Sequence, residues 1–288
     1  MSKIQIDPTI DHALALGAKA YLSISGGKDS QAIAMRLAHI AHGCLHMDLG
    51  RAEWPQTPAF VERIAKEAGL PLHVIRRHQG DLVQEIGERM AKLHGTGKPF
   101  WPSAAQRYCT ADHKRSQADK FFRHHDLVIS IEGIRADESP KRARDLPLSI
   151  RKQITAKCLR DLDPAKALAK WEAERPGRLA LTWYPIHGWN IDQVWEACGT
   201  SAQALELLRE VYRNGDKELA FSEWPCHPAY VMGNERVSCA ICVLASENDI
   251  RNGATNHPWL ADIYLSYERK SGFTFRHKRS LSEIIQGS

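Results

Sequence analysis

The sequence predicts an α/β protein with an open parallel β-sheet that carries helices on both faces. Between Lys19 and Glu132, apolar runs of strand length alternate with segments in which apolar residues recur at helical spacing. A glycine-rich turn at 25–30 stands between the first such strand and the first long helix. The 288 residues are 43% hydrophobic and 25% charged, close to the average of folded globular domains. Strands that alternate with helices favour parallel pairing through crossover helices.

The individual elements follow from apolar periodicity and from the turn residues between the segments. The basic, proline-containing segment 137–160 is expected to be a loop over the active face. Residues 1–200 are predicted to form a nucleotide-binding domain, and 201–288 a helical C-terminal extension that carries a C-x-x-C motif. Strands are predicted at 19–25, 44–49, 72–76, 127–132 and 179–185, and helices at 30–42, 58–68, 81–93, 163–175, 190–197 and 201–213.

Charge and composition narrow the class of protein. A net charge of +5 suits an anionic substrate such as a nucleotide, and it is compatible with weak nucleic-acid contact. No run of roughly 18 apolar residues indicates a membrane span, and the segment 1–11 lacks a signal-peptide pattern. We therefore expect a cytoplasmic protein with no membrane partner. Seven cysteines in such a protein favour metal binding or redox chemistry over a disulfide framework.

The turn at 25–30 has the features of a phosphate-binding loop. Two glycines let the backbone approach an oxyanion, and the amides at the helix start point toward it. Lys28 can neutralise a phosphoryl oxygen, and Asp29 could cap the helix or help to hold Mg²⁺. The spacing of a Walker A loop is absent, and an ordinary glycine turn is the alternative interpretation. The predicted nucleotide-binding residues of this loop are Ser25, Gly26, Gly27, Lys28, Asp29 and Ser30.

The loop sequence Ser-Gly-Gly-Lys-Asp-Ser resembles the signature of the PP-loop ATP pyrophosphatases and, among them, of the phosphoadenosine phosphosulfate reductase family. Three further segments, 46–57, 133–142 and 184–195, are similar to motifs of that family in order and spacing. The element Arg107-Tyr108-Cys109-Thr110 looks like the Arg-x-Cys-Thr of the phage-type and DNA-phosphorothioation ATPase branch. The resemblance implies a five-stranded parallel sheet of the adenine nucleotide alpha hydrolase-like type. It also implies that ATP or an adenylyl sulfate binds at the carboxyl edge of this sheet.

Residues at the ends of two later strands complete the predicted nucleotide site. By the family resemblance, Asp48 would lie near the ribose, the adenine or a metal ion, and a turn residue is the alternative. Gly133 and Arg135 follow another strand, where a guanidinium could clamp phosphate or sulfate in a fork. A surface ion pair is the alternative for Arg135. Lys28 and Arg135 are predicted to be the catalytic residues.

Four cysteines are candidates for one metal centre. Cys239 and Cys242 form a C-x-x-C motif, Cys226 lies 13 residues before it, and Cys109 stands in the Arg-x-Cys-Thr element. Four thiolates can bind either Zn²⁺ or a [4Fe–4S] cluster, and the motif does not separate the two. The family resemblance favours the cluster and implies that it lies beside the nucleotide pocket. A buried thiol pair or a dithiol redox site is the alternative.

Other potential metal ligands are expected to be structural. His113 and His227 could replace a cysteine ligand, but a lone histidine is more often part of the packing. Cys44, Cys158 and Cys198 have no partner at metal-ligand spacing, so core or surface roles are predicted for them.

Two enzymatic reactions compete for this site. In the favoured reaction, ATP adenylates an oxygen of a second substrate, pyrophosphate leaves, and sulfur or nitrogen then displaces AMP, which links ATP cleavage to sulfur transfer. In the alternative, a cysteine thiolate reduces phosphoadenosine or adenosine phosphosulfate and releases sulfite. The sequence lacks the C-terminal Glu-Cys-Gly element of the classical reductases, and Cys109 is followed by Thr110 rather than by a second cysteine. A non-catalytic nucleotide-sensing subunit is the third interpretation.

The expected partners follow from these reactions. An adenine nucleotide is the expected ligand, a protein that donates sulfur is a candidate partner, and a homo-oligomer is compatible with the sequence. The basic stretch 141–160 leaves nucleic acid open as a partner, with a solvated loop face or an anion site as the alternative.

Overall fold

A six-stranded, mostly parallel β-sheet organises the chain in a computed structural model that describes residues 3–237 and 239–287. The strand order is β3-β2-β1-β4-β6-β5. β1 pairs in parallel with β2 and β4, and β4 pairs in parallel with β6. The strands are β1 Lys19–Ser23, β2 Gly43–Asp48, β3 Leu72–Arg76, β4 Leu127–Glu132, β5 Leu148–Ile150 and β6 Leu179–Trp183. The predicted α/β class with an open parallel sheet is therefore confirmed.

The sheet has one strand more than the five that the family resemblance implies. The additional strand, β5, runs antiparallel to β6 and lies within the segment 137–160, which the sequence predicts to be a loop. Backbone hydrogen bonds beyond its ends, from Arg151 N–H to Ala180 C=O (2.8 Å) and from Tyr184 N–H to Pro147 C=O (2.7 Å), extend the pairing. A three-residue edge strand is defined by such bonds to its neighbour, because it is too short to carry a periodic pattern.

Thirteen helical segments connect and flank these strands in the described part of the chain, with short 3₁₀ turns between some of them. Among them, none combines the length and the apolar character that a membrane-crossing helix requires. The helices are α1 Pro8–Ala15, α2 Lys28–Leu37, α3 Thr57–Glu67, α4 Leu82–Leu93, α5 Tyr108–Thr110, α6 Ser116–Phe122, α7 Pro164–Glu174, α8 Ile191–Ala197, α9 Ala202–Arg213, α10 Lys217–Ser222, α11 Glu247–Asn256, α12 Pro258–Ser271 and α13 Leu281–Gln286. A π-helical turn, Ala111–Arg115, joins α5 to α6.

Side-chain caps and strand burial explain why these segments form. Asp163 caps α7 through the Ala165 amide and is followed by a proline, while Asn190 forms a capping box with Gln193 at the start of α8. Every residue of β6 is buried, and all but the last residue of β4 are. Continuous apolar strands of this kind are typical of a sheet that is covered on both faces.

The chain divides into two compact units, and each is assembled from separate stretches of sequence. The first, here called the sheet unit, comprises residues up to 46, 58–75 and 118–205. The second, here called the cysteine unit, comprises 47–57, 76–117 and the residues from 206 onward. The predicted division into a domain at 1–200 and an extension at 201–288 stays a prediction, because compactness does not establish independent folding.

The core of the cysteine unit is rich in aromatic side chains. Trp101 packs edge-on against Tyr264, with ring centroids 5.4 Å apart, and against Phe275, at 5.0 Å. Its indole N–H donates to the carbonyl oxygen of Phe273 at 3.2 Å, so the polar atom of this buried ring is satisfied. Segments that are far apart in the sequence thereby share one hydrophobic core.

Candidate functional site

The glycine-rich loop at 25–30 turns the chain from the end of β1 into the start of α2. Gly26 has a φ of +80°, a left-handed conformation that glycine adopts without steric cost. Gly27 is the N-cap residue of α2, and no side chain caps this helix end. The first hydrogen bond of the helical ladder runs from Gln31 N–H to Gly27 C=O at 3.0 Å. The amides of residues 28–30 therefore precede the ladder, as the amides that bind anions at helix starts do.

Ser30 braces this loop from within. Its hydroxyl accepts a hydrogen bond from the Ser25 amide at 3.1 Å and donates to the Gly27 carbonyl oxygen at 2.7 Å. The two bonds close the loop on itself and fix the direction of its amides. The hydroxyl of Ser30 is thus engaged in loop geometry, whereas Ser25 is an exposed residue of the loop.

Gly133 allows the end of β4 to press against the first turn of α2. A Cβ atom at this position would lie 2.6 Å from the carbonyl oxygen of Asp29 and 3.0 Å from the amide nitrogen of Ser30. These distances are below van der Waals contact, and both neighbours are backbone atoms that cannot rotate away. The backbone of the glycine-rich loop thus requires glycine at residue 133.

Arg135 is a buried arginine that forms ion pairs with two carboxylates, of which Asp137 is exposed. Its Nε donates to Asp29 and its Nη1 donates to Asp137, and the side chain is 5% exposed. Asp29 therefore pairs with Arg135 rather than capping α2. The third nitrogen of the guanidinium, Nη2, takes part in neither pair. Asp29 belongs to the first turn of α2, and its carboxylate holds Arg135 beside that turn. Arg135 is the arginine that the sequence predicts to bind an anion.

Lys28 is a buried cation at the start of α2. Its Nζ lies 3.7 Å from Oδ2 of Asp29 and 5.4 Å from the ring centroid of Trp195 on α8. The backbone of Lys28 is also engaged, because its carbonyl oxygen accepts a hydrogen bond from the thiol of Cys198 at 3.4 Å. Trp195 and Cys198 are both buried against the start of α2, in keeping with the core or surface role that the sequence predicts for Cys198. Two cations and one carboxylate thus lie around the first turn of this helix.

Asp48, at the end of β2, has both carboxylate oxygens engaged by neighbouring groups. Oδ1 accepts from the Gly50 amide at 2.6 Å, and Oδ2 accepts from Nε of Arg76 at 3.0 Å and from its Nη2. This is the geometry of a turn residue, which is the alternative that the sequence left open. Its predicted contact with a nucleotide stays a prediction.

The four cysteines predicted as ligands all belong to the cysteine unit. Cys226 is buried, while Cys109, Cys239 and Cys242 are half-buried. Burial raises the pKa of the Cys109 thiol, and the nearby Cys242 raises it further. Burial also raises the pKa of Cys239, with the proximity of Cys242 and Cys109 as further causes. Three of the four thiols are thus close enough to interact, and the surroundings of Cys109 and Cys239 disfavour their thiolates unless a cation compensates the charge.

The C-x-x-C loop is fixed in place by backbone contacts. The Ala240 amide donates to the Ala52 carbonyl oxygen at 2.9 Å. From α11, Gly253 lies so close that a Cβ atom on it would stand 1.8 Å from the carbonyl oxygen of Ala240. On the C-terminal side of the loop, Arg276 donates from Nε to the Val243 carbonyl oxygen at 2.9 Å and also reaches the carbonyl oxygen of Ala245. This loop is therefore held from three directions.

The two candidate metal centres place different demands on the spacing of the cysteine sulfurs. Among the described residues, no three cysteine sulfurs lie within 4.8 Å of one another. A tetrahedral zinc ion with bonds of about 2.3 Å would require sulfurs roughly 3.8 Å apart. A four-iron cluster, in which each thiolate binds a different iron, holds its sulfur ligands further apart. Thiolates are donors to both centres, so the choice between the predicted [4Fe–4S] cluster and Zn²⁺ stays a prediction.

The two histidines that could replace a cysteine differ in how their rings are engaged. In His227, Nδ1 accepts from the Ala229 amide at 3.1 Å and Nε2 lies 3.1 Å from the hydroxyl of Thr57, so both ring nitrogens have protein partners. In His113, Nε2 lies 2.7 Å from Oε2 of Glu85. His227 is therefore structural, as the sequence analysis expected for a lone histidine.

Glu85 is the centre of a buried charge network that the sequence analysis missed. Burial alone would raise the pKa of Glu85, but hydrogen bonds from Arg89 and His113 and the charge of Arg77 outweigh it and lower the pKa. Arg77 and Arg89 each approach the carboxylate to 2.7 Å. In the sequence, the i,i+4 spacing of Glu85 and Arg89 on α4 indicates an ion pair. That spacing alone predicts an exposed pair, because charged side chains are usually on the surface.

The substitution Glu85→Gln is expected to lower the free energy of unfolding by about 2 kcal/mol at pH 7, because charge-assisted hydrogen bonds are lost. The folded pKa of Glu85 lies below its usual value of 4.5. Its stabilisation is therefore complete above pH 4.5 and lost as the pH falls through the folded pKa. Urea unfolding of the wild type and of the Glu85→Gln variant between pH 7 and pH 4 measures the difference between their free energies of unfolding. A difference that grows as the pH falls would contradict the lowered pKa of Glu85.

The fold and the glycine-rich loop define an α/β protein in which a helix starts directly after the first strand of a mostly parallel sheet. Comparison with known proteins then identifies the family. The model of the phosphoadenosine phosphosulfate reductase domain matches residues 19–213, and the chain belongs to this family. The matched range contains the loop 25–30, Asp48, Cys109, Gly133 and Arg135, while the C-x-x-C motif lies beyond it.

Individual proteins resemble the chain as well, among them a phage protein and a protein of known structure. A protein of Escherichia phage 186, described as an uncharacterized 37.8 kDa protein in the gpa 5' region, is 27% identical over 272 residues, covering 80% of this chain and 68% of the relative. This relative is consistent with the phage-type branch of the family. The crystal structure of a phosphoadenylyl-sulfate reductase from Candida auris, in a phosphate complex, has a TM-score of 0.40 and 15% identity, covering 72% of this chain and 94% of the other. That likeness is too distant to support an argument about function.

Proposed function

We propose that this chain binds ATP or a related adenylyl nucleotide at residues 25–30 and cleaves ATP between its α and β phosphates. The observation that carries the proposal is the start of α2, where the amides of residues 28–30 precede the helical ladder in a loop braced by Ser30. The partial positive charge of the helix start favours a phosphate there. Lys28 and Arg135 add two full positive charges around the same turn.

The reaction follows from charge neutralisation and positioning. An oxygen of the acceptor attacks the α phosphorus, the bond to the bridging oxygen breaks, and pyrophosphate leaves with the electron pair. Lys28, Arg135 and the Mg²⁺ that accompanies the nucleotide compensate the charge that develops on the phosphate oxygens. A sulfur or nitrogen nucleophile then displaces AMP from the activated acceptor, which links the reaction to sulfur transfer.

The cysteine unit is proposed to hold a metal centre. Cys109, Cys239 and Cys242 are three of its donors, and Cys226 is the fourth that the sequence predicts. A [4Fe–4S] cluster would supply electron transfer, whereas Zn²⁺ would be structural. A sulfur donor protein and a second copy of the chain are proposed as partners.

Nucleic acid is the weaker proposal for a partner. Much of the positive charge in the segment 141–160 is already compensated. Arg142 pairs with Glu138, Arg151 pairs with Asp119 and Glu132, and Lys152 lies 2.8 Å from Asp161. Fewer cations therefore remain to contact phosphates than the sequence alone suggests.

The test is incubation of the full chain with ATP labelled in the α phosphate, in the presence of Mg²⁺, followed by separation of products. Water supplies the attacking oxygen when no other acceptor is added, so AMP and pyrophosphate are the expected products. Lys28→Gln is expected to slow their formation by about 100-fold, the effect of removing one preorganised charge-stabilising donor. Lys166→Gln is the matched control, because Lys166 is an exposed lysine of α7 in the same unit.

Other outcomes identify the other candidate functions. Tight nucleotide binding with no cleavage would overturn the enzymatic proposal in favour of a sensing subunit. Release of sulfite from an adenylyl sulfate in the presence of thioredoxin, without ATP cleavage, would establish a reductase instead. Equal ATP cleavage by the Lys28→Gln and Lys166→Gln variants would remove Lys28 from the mechanism.

A further inference from the structure

His113 is a fully buried histidine with only one of its ring nitrogens satisfied. Its exposure is 0%, and Nε2 lies 2.7 Å from Oε2 of Glu85. Nδ1 is buried and has no hydrogen-bond partner among the described residues. An unsatisfied buried polar atom costs about 1–3 kcal/mol, so such an atom in a folded protein calls for a partner of another kind.

The partners of Glu85 determine which ring nitrogen carries the proton. Glu85 also accepts hydrogen bonds from Arg77 and Arg89, and a carboxylate between two arginines is ionised. An ionised carboxylate can only accept, so Nε2 of His113 is the protonated nitrogen. In the neutral ring, Nδ1 therefore presents a lone pair to the interior. A histidine oriented in this way by a carboxylate is the usual arrangement at metal sites.

His113 and Cys109 belong to one continuous helical run. The two residues are four apart, and residues at this spacing in a helix have their Cβ atoms about 5–6 Å from each other. The turn that carries His113, Ala111–Arg115, is π-helical, a rare geometry that is frequent at functional sites. Cys109 in turn lies close enough to Cys242 to interact with it electrostatically.

The same charge network fixes the segment on both sides of Cys109. Arg89 stacks on the ring of Tyr108, with its guanidinium carbon 3.9 Å from the ring centroid, and Tyr108 donates from its hydroxyl to the Phe100 carbonyl oxygen at 2.8 Å. Arg89 therefore holds the residue before Cys109, while Glu85 holds the ring that follows it. The network orients both side chains at once.

We propose that Nδ1 of His113, rather than the thiol of Cys226, is the fourth protein ligand of the metal centre formed with Cys109, Cys239 and Cys242. The inference rests on the proposed metal centre. Glu85 acts as the positioning residue that fixes the tautomer of the ligand. Cys226 is then a structural thiol in the turn between Trp224 and His227. The indole N–H of Trp224 donates to the backbone carbonyl oxygen of His227 at 3.3 Å and closes that turn.

The decisive measurement is pulsed electron paramagnetic resonance of the full chain after anaerobic reconstitution with iron and sulfide and reduction of the cluster. A ligand nitrogen gives a strong hyperfine coupling, which is expected in the wild type and is expected to change when histidine is labelled with ¹⁵N. The coupling should be lost in His113→Ala and retained in Cys226→Ser. This readout on the wild type does not depend on the folding of any variant.

Metal content provides the second readout. His113→Ala is expected to retain much less iron than the wild type, and Glu85→Gln to bind metal about 10-fold more weakly. His124→Ala, at an exposed histidine, is the matched control and should retain iron at the wild-type level.

Two results overturn the inference, and they are distinguishable. A wild-type cluster without nitrogen coupling, together with loss of iron in Cys226→Ser but not in His113→Ala, would return the fourth position to Cys226. Failure of the wild type itself to bind any iron would overturn the proposed metal centre as well.

Discussion

Gly133→Ala is expected to weaken the binding of an adenine nucleotide by about 100-fold, the loss that a displacement of roughly 1 Å at a positioned site can cause. The added Cβ would stand 2.6 Å from the carbonyl oxygen of Asp29 and 2.7 Å from its carbonyl carbon. Neither atom can move without shifting the first turn of α2. The amides that are proposed to hold the phosphate would shift with it. Calorimetric titration with a non-hydrolysable ATP analogue measures the affinity.

Gly188→Ala is the matched control for this experiment. Gly188 belongs to the same unit, and a Cβ atom there would meet nothing within 4 Å. Both glycines lack the left-handed φ that would add backbone strain, so the comparison isolates the close approach. Equal affinities of the two variants for the analogue would show that the first turn of α2 does not hold the nucleotide.

Gly253→Ala is expected to displace the C-x-x-C loop and to reduce iron retention after reconstitution by at least about 10-fold, the lower end of the losses seen when the support of metal ligands is removed. The Cβ atom would lie 1.8 Å from the carbonyl oxygen of Ala240, which stands between the two cysteines of the motif. Relief requires α11 or the loop to move. Overpacking of this kind also costs stability, typically about 1–3 kcal/mol, which thermal unfolding of the metal-free protein measures.

Thr255→Ala serves as the control in the same helix. Thr255 is exposed, and its hydroxyl donates only to the carbonyl oxygen of Arg251 within α11 at 2.9 Å. This variant should therefore retain both stability and iron. Wild-type stability and iron content in Gly253→Ala would mean that the loop is free to move and that its contact with α11 does not position the cysteines.

Local sequence patterns predicted the fold well wherever an element carries its own signal. The apolar runs predict β3 at 72–76 and β4 at 127–132, which are the bounds that the structure has. The predicted helix at 30–42 begins two residues late, because Lys28 and Asp29 were assigned to the loop, although they form the first turn of α2. The edge strand β5 was missed, since its hydrogen bonds to β6 define it.

The contacts of the candidate site were less accessible from sequence than its location. The loop at 25–30 was recognisable because glycine spacing between a strand and a helix is a local property. The pairing of Arg135 with Asp29 joins residues 106 positions apart, and no local pattern encodes it. Likewise, the burial of Glu85 depends on the packing around α4, and charged residues are assigned to the surface by default.

The interleaving of the two units has a consequence for dissecting the protein by deletion. The chain passes from one unit to the other after residues 46, 57, 75, 117 and 205, so no single cut separates them. Deleting everything beyond 205 would strip Trp54 and Trp101 of the aromatic surface that covers them and expose it to water. Such a fragment is expected to aggregate rather than to report the properties of an isolated nucleotide domain. Point substitutions are therefore the appropriate way to separate the roles of the loop and of the cysteines.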